Sequence, residues 1–160
     1  MKYKIKITTM QKEYPAKNFY DAIAHSVGSD GSATSYDDGS FIETTTVCEV
    51  AQKNGLFIIR YDENLEGMED VKTLFKFPLD SPKEITIART GGVHSILCFE
   101  EGKYNTSVYN AGKIPLELSV YTMSIHNDLL TDGTFEMSYI VDFNSLTTQK
   151  TNLRMELIKI

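Results

Sequence analysis

Cysteine is scarce in this chain. Its two thiols, Cys48 and Cys98, stand far apart, with no Cys-x-x-Cys pair and no histidine at zinc-ligand spacing. They read as two reduced thiols, since a free cysteine behaves as a small hydrophobe. Basic residues are also in deficit: 16 Lys and Arg against 22 Asp and Glu leave a net charge of -6 at pH 7. Binding to DNA or RNA requires cations that neutralise phosphates and release counterions, so no nucleic-acid partner is expected. Long apolar runs are missing too, and none approaches the roughly 20 residues of a membrane helix. Met1 to Met10 alternates lysine with tyrosine and isoleucine where a secretory signal would carry an unbroken apolar stretch. No membrane association is expected, and the cytoplasm is the expected compartment. On that reading Asn105-Thr106-Ser107, formally a glycosylation acceptor, carries no information.

The chemical signatures of catalysis are absent as well. There is no Gly-x-Ser-x-Gly elbow, phosphate-binding glycine loop or dinucleotide fingerprint. His25, His94 and His126 are scattered without His-x-His or His-Glu-x-x-His spacing, and Asp30, Asp37 and Asp38 lack the spacing and terminal glutamate of a calcium loop. Neither a metal nor a cofactor is expected. The residues favour a non-enzymatic role without deciding against catalysis.

What is present is a globular composition, 41% hydrophobic and 24% charged over 160 residues. A chain of this size buries roughly 68 to 70% of its unfolded surface and has no need to divide, so residues 1–160 are expected to form one domain. From Phe41 onward, apolar residues recur with period two between turn dipeptides, the pattern of half-buried strands in hairpins. Val71, Thr73, Phe75 and Phe77 alternate with Lys72, Leu74 and Lys76. Phe135, Met137, Tyr139, Val141 and Phe143 form a second such row. Ile114, Leu116, Leu118 and Val120 form a third, with Thr122, Ser124 and His126 continuing in phase. Asn54-Gly55, Gly91-Gly92, Glu101-Gly102 and Asp132-Gly133 separate the runs, and such pairs suit the primed turns of hairpins.

The expected fold is therefore all-β, an antiparallel up-and-down barrel of about eight to ten strands, closed to hide its edges. Long runs such as Phe41 to Lys53 and Ile114 to Asn127 would have to bend or bulge within one wall. Between a first strand at Tyr3 to Met10 and a second near Phe41 lies a polar insertion, residues 11–40. Within it Asn18 caps an expected short helix that ends at Gly28, followed by a loop from Ser26 to Ser40.

Two stretches carry a resemblance: ETTTVCEVAQKNGLFIIRYDE, Glu43 to Glu63, and Val71 to Thr122, with an Arg-x-Gly at Arg89 to Gly91 and a Tyr-x-x-Gly at Tyr109 to Gly112. Together with Gly133 to Phe143, they are similar to the YwiB-like family of small bacterial proteins. The resemblance implies a calycin-type barrel related in shape to lipocalins, and it supplies no activity or site. The 11–40 connection is longer than the resemblance implies, and lipocalin-like barrels often carry this connection over the open mouth.

Arg89 is the most informative single residue, because it keeps phase with Ile85 and Ile87 and should point inward. A buried guanidinium needs partners. It is either a hydrogen-bonded plug at one end of the barrel or a clamp for a carboxylate or phosphate ligand. A register slip would leave it in solvent. Thr73, Thr122 and Tyr139 are likewise in phase with apolar neighbours and could orient a ligand, or satisfy each other. Phe75, Phe77, Phe135, Phe143 and Met137 either line a cavity or fill the barrel. Two functions follow. One is a barrel that binds a small, partly apolar, anionic ligand through Arg89, Thr73, Thr122 and Tyr139; the other is a filled barrel serving as an interaction or structural module. A homodimer through strand edges is left open.

Overall fold

The computed structural model describes residues 1–14, 40–63, 69–110, 115–143 and 147–160, and its regular elements are all strands. In chain order these are β1 (Lys2–Tyr14), β2 (Ser40–Lys53), β3 (Leu56–Asp62), β4 (Val71–Pro78), β5 (Glu84–Gly91), β6 (Ser95–Glu100), β7 (Tyr104–Asn110), β8 (Pro115–Asp128), β9 (Thr134–Phe143) and β10 (Thr147–Lys159). They form one antiparallel ten-stranded sheet in the order β6-β5-β4-β3-β2-β1-β10-β9-β8-β7. The meander expected from the hairpin spacing is present, and pairing of β1 with β10 joins the two ends of the chain.

The ladder breaks at one hairpin. β6 and β7 follow one another in sequence yet are the two edges of the sheet. They are stitched by a single bridge, in which His94 and Asn110 exchange backbone N–H to O hydrogen bonds of 2.9 Å each. The Ser107 hydroxyl also donates to the Ile96 carbonyl. The barrel is therefore nearly closed, with its seam inside a hairpin, and the expectation that consecutive strands pair throughout fails at this place. Below the seam, the Thr122 carbonyl accepts from Gly102 N–H at 2.8 Å and ties the turn to β8.

Turn chemistry explains the corners. Asn54 and Gly55 both have positive φ, 53° and 76°, the type I′ geometry that matches strand twist. Gly91, at φ 102°, ends β5 where a Cβ would lie 1.9 Å from the carbonyl oxygen of Asp70. Only glycine fits there.

Two sequence expectations are corrected. β1 runs on to Tyr14, with Gln11 opposite Ser40, so the strand enters the span assigned to the insertion. The phase of β8 changes after Thr122, where a bulge at Met123 shifts the register. Ile125 is buried and His126 exposed, so Ser124 and His126 do not continue the inward row. One extra residue in a long strand reverses the faces of everything beyond it. The expected helix from Asn18 to Gly28, the loop after it, Ile114 and the Phe143 side chain lie outside the described residues. No helix among the described residues is long and apolar enough to cross a membrane.

The core fills one end of the barrel. Phe75 packs edge-on to Phe135 and to Phe77, with centroids 5.0 and 6.2 Å apart, and Phe77 stacks on Phe57 at 5.0 Å. Each buried aromatic ring contributes roughly 1.5 to 3 kcal/mol. These rings plug that end of the lumen. An eight-stranded barrel is already filled by its own side chains, so ten strands enclose more width than this plug occupies.

Candidate functional site

The inward-facing polar residues fall into two cross-strand rows. Tyr61, Thr73, Arg89 and Ser95 are successive partners across β3, β4, β5 and β6. Gln11, Thr151, Tyr139 and Thr122 are successive partners across β1, β10, β9 and β8. Each row arises because one polar residue interrupts an otherwise apolar alternation at the same height in neighbouring strands.

Between the rows lies a cavity of about 250 Å³, bounded by Glu63, Arg89, Tyr109, Tyr139 and apolar side chains that include Leu97 and Leu153. Arg89 does point inward, as its phase predicts, with 26% of its side chain exposed. Its Nε sits 3.5 Å from Oε1 of Glu63, whose side chain is 7% exposed. Thr73 donates its hydroxyl hydrogen to the same Oε1 at 2.6 Å. The carboxylate is fixed by the backbone as well, because Glu63 N–H donates to the Val71 carbonyl at 2.9 Å. At an effective dielectric of about 20, opposite charges roughly 4 Å apart attract by about 4 kcal/mol before desolvation is counted.

The two phenols beside the pair stay protonated. Burial raises the pKa of Tyr61 and the nearby Glu63 charge adds to the rise, against opposing pulls from Arg89 and Thr73. Burial likewise raises Tyr139, and Arg89 and the Thr151 hydroxyl oppose it. Tyr139 also packs against Phe99 with centroids 4.8 Å apart. At neutral pH both phenols are therefore neutral hydrogen-bonding groups.

Of the four residues singled out from the sequence, Arg89 and Tyr139 line the cavity. Thr73 is committed to Glu63. Thr122 is fully buried beside Tyr139, and among the described residues its hydroxyl has no hydrogen-bond partner, like the Ser95 hydroxyl and Arg89 Nε. Phe75, Phe77 and Phe135 belong to the plug at the other end. Glu63 was missed, although the signal was available: it keeps phase with Phe57, Ile59 and Tyr61, as Arg89 does with its isoleucines.

A larger depression, about 650 Å³, lies on the outer wall around Lys2, Glu49, Arg60, Lys72 and Leu74. Its charges alternate across the strands, Lys2 opposite Glu49 and Glu49 opposite Arg60, so it presents no field of one sign. Among the described residues no group of three or more His, Cys, Asp or Glu could hold a metal ion. Cys48 is buried, which pushes its thiol up to about 11 and makes it unreactive, whereas Cys98 is exposed.

Comparison with known proteins adds the family and the fold. The model of a family described as Domain of unknown function (DUF1934) matches residues 30–155. The crystal structure of the ywiB protein from Bacillus subtilis superposes with a TM-score of 0.63 at 20% identity, covering 97% of this chain and 92% of that one. No curated protein matches.

Proposed function

The chain belongs to the DUF1934 family, a domain of unknown function, and we propose that it is a binding protein which holds a small, partly apolar ligand inside the barrel. The observation that carries this reading is the cavity of about 250 Å³ with a charged pair on one wall and a neutral phenol on the other. That volume is slightly below the roughly 300 Å³ at which pockets for drug-sized molecules begin, so the ligand is small. Arg89 contacts its anionic or hydrogen-bond-accepting end, Tyr139 donates to it, and Leu97 and Leu153 cover the rest. Thr73 acts through Glu63, and Thr122 acts through its strand partner Tyr139. Catalysis is not part of this reading, since a general acid and base facing one another is not what the lining offers.

Native mass spectrometry of freshly purified protein tests it: a retained small molecule, lost on mild activation, is the expected result. Arg89→Ala should then weaken affinity for the retained molecule at least tenfold, and unchanged affinity would remove Arg89 from the site. A second reading, a filled barrel working as an interaction or structural module, draws on Ile96, Tyr104 and Val108, which are exposed on the outside of the seam. Under that reading the purified protein is ligand-free, and a partner or a second copy covers the seam face.

A further inference from the structure

We infer that the cavity takes up a small monocarboxylic acid together with one proton, and that Glu63 is the residue which couples the two. This rests on the ligand-binding reading above and names the ligand's chemistry. It begins from charge. Among the described residues lining the cavity, Arg89 is the one cation and Glu63 the one carboxylate. The other titratable groups facing this space are Tyr61 from β3, Tyr109 from β7 and Tyr139 from β9, with the Cys48 thiol beside Tyr61 on β2. Lys72 and Asp62, neighbours of the site in sequence, face the outer wall. Among the described residues the charges lining the cavity thus balance.

A carboxylate drawn to Arg89 would upset that balance. It would place two anions around one guanidinium in a space walled in part by Ile87, Leu97, Phe99 and Leu153, and of two carboxylates that share a site one has its ionisation strongly disfavoured. Glu63 does not escape by swinging into solvent, because its side chain is buried and tethered by Thr73. Thr73 and Arg89 both meet Oε1, which leaves Oε2 as the oxygen for a shared proton. The bound state is then an O–H···O bond between the ligand carboxyl and Glu63, with Arg89 balancing the single remaining negative charge. One proton passes from a buffer acid in solvent with each carboxylate, so the acid's O–H or N–H bond breaks as the new O–H bond forms, and no covalent bond to carbon changes.

The size of the space sets the probe. A volume of 250 Å³ equals about eight waters at roughly 30 Å³ each, enough for a compact acid such as benzoate. Benzamide has nearly the same shape without the charge. Isothermal calorimetry of the whole chain in two buffers of different ionisation enthalpy gives the protons taken up. Wild-type protein should take up about one proton per benzoate, with affinity falling about tenfold per pH unit from pH 6 to pH 8, and should bind benzamide without either effect. Glu63→Gln, which keeps an acceptor for Thr73, should bind benzoate without proton uptake and more tightly than wild type at pH 8. Benzoate binding with no proton uptake by wild type, or uptake that persists in Glu63→Gln, would overturn the coupling while leaving the binding reading in place. If neither benzoate nor benzamide bound in the cavity, as judged by unchanged NMR signals from Tyr139 and Leu153, both readings would fall.

Discussion

Thr73 and Arg89 converge on one oxygen atom, Oε1 of Glu63, at 2.6 and 3.5 Å. The carboxylate is held by a hydrogen bond along one direction and a charge along another, so its position depends on both. Removing Glu63 leaves Arg89 without its ion-pair partner and Thr73 without its acceptor. Glu63→Ala should destabilise the fold by about 2 to 3 kcal/mol, short of the roughly 3 to 5 of a fully buried pair because Arg89 keeps some water. Adding Arg89→Met should recover part of the loss, since the unpaired cation is then gone. Urea denaturation of Glu63→Ala, Arg89→Met and the double variant measures this, and strictly additive losses would show that the pair is not coupled.

At Gly91 the chain needs both a positive φ of 102° and the absence of a Cβ, which would meet the Asp70 carbonyl oxygen at 1.9 Å. Gly55 shares only the first requirement, because nothing lies within 4 Å of its notional Cβ. Gly55→Ala should therefore cost about 1 to 2 kcal/mol, the strain of a left-handed residue. Gly91→Ala should cost clearly more, at least about 3 kcal/mol, as the β4–β5 register must shift to clear backbone. Equal midpoints in a urea titration would argue that the Asp70 backbone yields freely.

Acid should loosen the turn between β6 and β7. Glu101 accepts a hydrogen bond from Ile125 N–H at 3.1 Å and pairs with Lys83 at 3.3 Å. The Ile125 hydrogen bond, then that from Lys83, holds its carboxyl below the ordinary value of 4.5. A depressed folded-state pKa gives stability that is present above the unfolded value and lost as pH falls through the folded one. The stability difference between wild type and Glu101→Gln should thus be steady at neutral pH and shrink below pH 4.5. Its size should stay under about 1 kcal/mol, since the side chain is well solvated. A difference that grows on acidification would reverse the assignment.

Much of the wall and part of the site were legible because alternation reports burial directly. The residues Val71, Thr73, Phe75 and Phe77 are all buried, as their phase requires. The same rule located Arg89 inside. Its neighbour Glu63 was equally in phase but stands one position past the end of β3, next to Asn64, so composition hid what position gave away. The length of the run from Ile114 to Asn127 called for a bend or bulge, and one follows Thr122, but its position carried no signal, because a single extra residue leaves both halves of a strand looking regular. Nor does alternation tell which hairpin stays unzipped, since the turn residues of β6–β7 are as favourable as those of the laddered hairpins.

That unzipped hairpin should be the barrel's weakest line. β6 and β7 share one backbone bridge and the Ser107 hydrogen bond to Ile96, whereas β1 and β10 are partnered over a dozen residues from Tyr3 to Tyr14. Opening there requires few hydrogen bonds to break and exposes Leu97, Phe99 and Tyr109, all of which line the cavity. Amide hydrogen exchange should be fastest in β6 and β7 among the strands and slowest in β1 and β10. Ser107→Ala removes one of the stitches, a hydrogen bond worth about 1 kcal/mol, and should speed exchange in β6 and β7 roughly fivefold while leaving β1 and β10 unchanged. If the seam is the route by which a ligand reaches Arg89, the same variant should raise the association rate of benzamide by a similar factor at nearly constant affinity, since Ser107 does not line the cavity. Protection of β6 and β7 equal to that of β1 would mean the barrel opens elsewhere.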